Sequence, residues 1–99
     1  MTQTRPTMLV ESEDDPVIHQ AIFDTIENQI RDREPAETAA TLERLLAAGE
    51  SRDIALRYIA CALSVEFFEI IQHGTAFDAV RYVRNLKALP ALPYDENEI

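Results

Sequence analysis

The chain has few of the residues that punctuate a fold or serve as chemical handles. Its 99 residues include two glycines, Gly49 and Gly74, one cysteine, Cys61, and no tryptophan. Two glycines cannot build a Gly-rich phosphate loop, which excludes nucleotide binding of that type. One cysteine excludes an internal disulfide and a zinc site built on a Cys pair, and no His-Glu-x-x-His occurs. Set within an apolar run, Cys61 reads as a small core residue. Positive charge is scarce too. Nine Lys and Arg stand against eighteen Asp and Glu, a formal net charge of −9. Affinity for phosphate backbones comes largely from Lys and Arg displacing counterions, so nucleic acid is a poor partner for this chain. The longest apolar run, Ile54 to Ile71, contains Arg57, Ser64, Glu66 and Glu69 and is too polar to span a membrane. Met1 to Glu13 lacks the basic start and continuous apolar stretch of a signal peptide, so a cytoplasmic location is expected.

What remains is a strong helical pattern. An apolar fraction of 46% suits one compact domain rather than a disordered chain. Residues 1–14 show no periodicity and form an acidic arm, expected to be flexible, and 91–99 form a similar acidic tail. The helical domain occupies 15–90. Helix one starts at Asp15-Pro16, where aspartate caps and proline fills the first helical position. Ile18, Ile22, Ile26 and Ile30 follow at four-residue spacing, joined by Phe23, to about Arg31. Pro35 opens helix two, with inner residues Ala39, Leu42, Leu45 and Leu46, and Gly49 ends it. Ser51 caps helix three, which stops at Gly74. Asp78 caps helix four, with Phe77 and Tyr82 spaced as a hydrophobic staple and Val80, Tyr82, Val83, Leu86 and Leu89 on its apolar side. Pro90 and Pro93 end regular structure. The fold class is all-α, a small antiparallel bundle of about four helices.

Helix three dominates this bundle. Ile54, Leu56, Tyr58, Ile59, Leu63, Val65, Phe67, Phe68, Ile70 and Ile71 leave only narrow polar strips around it. A helix apolar on all sides must be enclosed, by its own chain or by a second subunit. Phe67 and Phe68 are therefore candidate interface residues of a homo-oligomer.

Chemistry has few places to reside. Ser64 lies in mid-helix without a local histidine, which fits neither a nucleophile elbow nor the Asp-Ser-Leu attachment site of acyl carrier proteins. His19 projects between Ile26 and Ile30 on the apolar face of helix one, with Gln29 nearby. It is either a core histidine bonded to a carboxylate or carbonyl, or a ligand facing the bundle interior. Glu66, Glu69 and His73 share a strip of about 60° on helix three. Such residues can bind zinc, iron or manganese, or the strip can face solvent with a Glu69–His73 pair. Arg81, Arg84 and Lys87 gather on one side of helix four, either as a solvated face or as a docking surface for an acidic partner.

Five segments in order, Ile26-Glu27-Asn28-Gln29-Ile30, the Glu34-Pro35 start of helix two, Leu45-Leu46-Ala47-Ala48-Gly49, Glu66-Phe67-Phe68-Glu69-Ile70 and Phe77-Asp78-Ala79-Val80-Arg81-Tyr82, resemble a family of small bacterial helical domains of unknown function. The resemblance spans Val17 to Pro90 and implies an all-helical, bacterial, cytoplasmic protein with no established activity. Members often carry histidines near the start of helix three, where Ser51 to Arg57 has none, so a metal site using those positions would be incomplete here. His19, Glu27 and Glu66 match the family pattern. Two functions follow as expectations. The first is a non-enzymatic, self-associating interaction module without cofactor. The alternative is a divalent metal site between helices, built from His19, Glu27, Glu66, Glu69 and His73, structural or activating water for hydrolysis.

Overall fold

The computed structural model describes residues 16–94, which form four α-helices and no strand. They are α1 (Pro16–Asp32), α2 (Ala36–Ala47), α3 (Arg52–His73) and α4 (Ala79–Ala88). The all-α bundle read from the sequence is the observed fold. The arm up to Asp15, with its helix cap, lies outside the described residues, as does the tail from Asp95.

Local chemistry sets the helix ends. The Ser51 hydroxyl accepts from the Ile54 N–H at 3.1 Å, and the Asp78 carboxylate accepts from the Arg81 N–H at 3.0 Å. Each satisfies a donor that the first helical turn leaves unpaired. At the end of α2 the Gly49 N–H donates to the Leu46 carbonyl and the Glu50 N–H to the Leu45 carbonyl. This paired closure needs a left-handed residue, supplied by Gly49 at φ 105°. α1 closes with the same long bond, Glu34 N–H to the Gln29 carbonyl, but Arg33 takes the left-handed position at φ 53°. Pro35 is the extended N-cap of α2, which begins at Ala36 rather than at Pro35 itself.

Glu27 near the end of α1 bonds Arg52 at the start of α3, while His19 lies beside Ala60 and Cys61 in mid-α3. These two helices therefore run antiparallel. Thr38 meets Tyr82, and Arg44 meets Leu86 and Leu89, so α2 and α4 run alongside in the same direction. α2 and α3 each pack on all three other helices, whereas α1 and α4 do not pack on one another. The core between them consists chiefly of Ile22, Ile26, Leu42, Leu45, Leu56, Ile59, Leu63, Tyr82 and Leu86.

Three faces differ from the expected ones. Leu46, in the last turn of α2, is exposed, while Thr38 and Thr41 are buried in its place. Val80 is exposed because it lies across α4 from Tyr82 and Leu86, which point into the core. α3 is not enclosed all round. Its inner side holds Ala55, Ile59, Ala62, Leu63 and Glu66, while Ile54, Val65 and Phe68 lie on its outer side; between them Tyr58 also packs against the core and Cys61 borders α1. Ser64 is buried in mid-helix, where its hydroxyl donates to the Ala60 carbonyl at 2.7 Å.

Candidate functional site

The residues expected to hold a metal do not gather into one ligand set among the described residues. Glu66 is fully buried and committed to α4. Arg81 Nε donates to its Oε2 at 2.7 Å, while Arg81 Nη2 and the Asp78 backbone N–H both donate to Oε1 at 2.9 Å. A solvent-facing strip through Glu66 is thereby corrected. Its environment comes from an arginine fifteen residues away, which no helical wheel displays. The hydrogen bonds from Arg81 to Glu66, with the adjacent negative charge, raise the guanidinium pKa above its ordinary value.

Glu27 is exposed and chelated by Arg52 at 3.0 and 3.2 Å. Glu69 and His73 do meet, Oε1 to Nδ1 at 2.9 Å, on the outside of α3, and the His73 ring lies edge-on to Phe68 at 5.6 Å. His19 is exposed rather than central to a buried face, with its ring 4.8 Å from that of Phe23. Ala60 and Cys61 opposite it are small, so α1 and α3 enclose a half-open groove of about 480 Å³ instead of closed packing. Ile22 and Phe23 complete its apolar floor, and Asp53 and Arg57, paired at 3.3 Å, stand at its rim. Among the described residues no three His, Cys, Asp or Glu side chains are placed to hold a metal ion.

The two candidate interface phenylalanines part company. Phe67 packs against the chain's own core, whereas Phe68 lies half-buried on the outer side of α3. The basic trio divides as well. Arg81 is absorbed by Glu66 and is not available to a partner as a free cation. Arg84 and Lys87 remain exposed.

Every other base in the described residues is engaged within the chain. Arg31, Arg33, Arg52 and Arg57 pair with Asp32, Glu43, Glu27 and Asp53. Arg44 donates to the carbonyls of Leu89 at 2.7 Å and Leu86 at 3.0 Å, closing the C-terminal end of α4.

A largely buried polar junction joins three of the helices. Tyr82 donates its hydroxyl hydrogen to Gln29 Oε1 at 2.7 Å, and Thr38 Oγ1 donates to the same oxygen at 2.7 Å. The junction ties α1, α2 and α4 and links the two helices that otherwise do not pack. Gln29 on the inner face was the one visible signal, since a polar group there requires partners. Burial pushes the Tyr82 phenol up to about 12. This junction ties helices together, with Tyr82 and Thr38 buried and Gln29 half-buried.

No family model, curated protein or solved structure matches the chain. None of its helices among the described residues is long and apolar enough to cross a membrane.

Proposed function

We propose that the protein is a non-enzymatic helical interaction module whose copies associate along the outer side of α3. One observation carries this reading. Ile54, Tyr58, Cys61, Val65 and Phe68 succeed one another at helical spacing with no charged residue among them; all stay partly open to water, while Tyr58 also packs against the chain's own core and Cys61 also lines the groove beside α1. A surface helix normally places polar residues on that side. The line is notable in a chain whose residues are 27% charged.

A second copy is the occupant that this chemistry favours. Two chains of −9 repel wherever acidic faces meet, and an uncharged line is where they approach at least cost. Two-fold pairing, which sets the same patch against itself, is the commonest arrangement of identical subunits. The bacterial and cytoplasmic setting implied by the resemblance belongs to the same proposal.

Sedimentation equilibrium at micromolar concentration tests it. The wild type should sediment at twice the 11.2 kDa chain mass. Val65→Asp and Phe68→Asp should sediment at the chain mass while keeping their helical circular dichroism. A wild type that stays monomeric, or aspartate variants that remain dimeric, would overturn the proposal.

A further inference from the structure

We infer that the outward face of α4 docks an acidic segment of a partner protein, one carrying apolar side chains beside its carboxylates. Val80, Arg84 and Lys87 fall at i, i+4 and i+7, a single line along the helix. All three are exposed, while Tyr82, Leu86 and Leu89 point the other way into the core. α4 contains three bases and no acid, so it supplies +3 to a net charge of −9 and the rest of the chain carries −12. Arg84 and Lys87 nevertheless make no ion pair among the described residues, where the other six bases are all taken up internally. Carboxylates outnumber bases two to one in this chain, which makes an uncommitted base the exception. Both exceptions lie on one face, one turn apart.

The apolar half of the surface adjoins them. Val80 is 76% exposed and Phe77, just before α4, is 44% exposed. Phe77 is held edge-on to the buried Tyr82 ring at 5.6 Å, so it is presented in a defined position. Exposed apolar side chains next to uncommitted charge are the composition of an interaction surface.

Charge complementarity selects the occupant. Two free bases among the described residues, in a chain of −9, are too few to hold a polyanion such as nucleic acid. A short segment that brings carboxylates to Arg84 and Lys87 and apolar groups to Val80 and Phe77 matches both halves. The surface is distinct from the outer side of α3, so it does not depend on self-association.

Fluorescence polarisation of the full chain tests this. The probe is a short fluorescein-labelled peptide of Asp, Glu, Leu and Phe. One control replaces its acids by lysine, and another replaces its apolar residues by serine. Saturable binding of the first peptide alone is expected. Its Kd should weaken by about tenfold or more in Arg84→Glu/Lys87→Glu, and separately in Val80→Asp, a loss of about 1.4 kcal/mol for each tenfold step. Both variants should keep wild-type helical content and sedimentation mass. Absence of saturable binding, wild-type affinity in either variant, or preference for the lysine peptide would overturn the inference. So would co-sedimentation with phosphatidylserine vesicles in place of peptide binding.

Discussion

At the residue scale, Tyr82 is the side chain on which most depends. A single amide oxygen, Gln29 Oε1, uses its two lone pairs for Tyr82 and Thr38, so three helices share one acceptor. With the phenol pushed up to about 12 by burial, against an ordinary value near 10, the folded chain holds this proton after the unfolded chain has released it. Between those values the folded state binds more protons, so stability must fall as pH rises. The contribution is full below about pH 10 and lost by about pH 12, on the order of 2–3 kcal/mol. Urea melts between pH 9 and 12 check this, and Tyr82→Phe should flatten the decline. That variant costs about 0.5–1.5 kcal/mol at neutral pH, because Thr38 still satisfies Gln29. Gly49 gives a simpler case. A Cβ there meets nothing within 4 Å, yet the φ of 105° is one that side chains resist. Gly49→Ala should therefore destabilise by about 1–2 kcal/mol through backbone conformation alone, read as a lower urea midpoint at unchanged slope.

At the element scale, the joint between α3 and α4 rests on Glu66. Its carboxylate receives three donors, two from Arg81 and one from the Asp78 N–H, while Asp78 in turn caps α4. Arg81→Ala would leave a buried carboxylate without its counter-charge, at a cost of about 3–5 kcal/mol. For a domain of this size that lowers Tm by well over 10 °C, roughly 4–8 °C per kcal/mol. Arg81→Lys should recover only part of the loss, since an ammonium cannot offer two parallel donors. Equal Tm values for wild type and Arg81→Ala would show the pair to be ornamental. The same joint shows how far the sequence could be read. Ser51, Gly49, Gly74, Asp78 and the Phe77–Tyr82 staple act within a few residues of themselves, and each was legible. The positions of Val80, Leu46, His19 and Glu66 depend on which helix lies opposite. His19 sits on the expected side of α1 but faces Ala60 and Cys61, too small to cover it. Glu66 meets Arg81 only after the chain has turned at Gly74. The carboxylates and histidines visible in the sequence thus did not assemble into a site, because arginines from other segments reached two of them first.

At the scale of the whole molecule, charge and apolar surface pull against each other. Each copy carries −9, so bringing two together raises a repulsion that the uncharged outer line of α3 has no opposite charge to offset. Salt screens that repulsion, with a Debye length of about 30 Å at 0.01 M falling to about 10 Å at 0.1 M. Apolar burial is not weakened by the same change. The proposed self-association should therefore tighten as sodium chloride rises from about 0.01 to 0.3 M, and again as pH falls toward the pI of about 4.5. An interface held by ion pairs would respond in the opposite sense and loosen with salt. Sedimentation equilibrium across the salt series separates the two. Phe68→Asp provides the internal control, because it places a carboxylate on the outer line without touching the core. Phe67→Asp should instead lower Tm, since Phe67 packs against the core of its own chain. Association that weakens with salt would move the interface away from α3, towards the paired charges at the ends of the bundle.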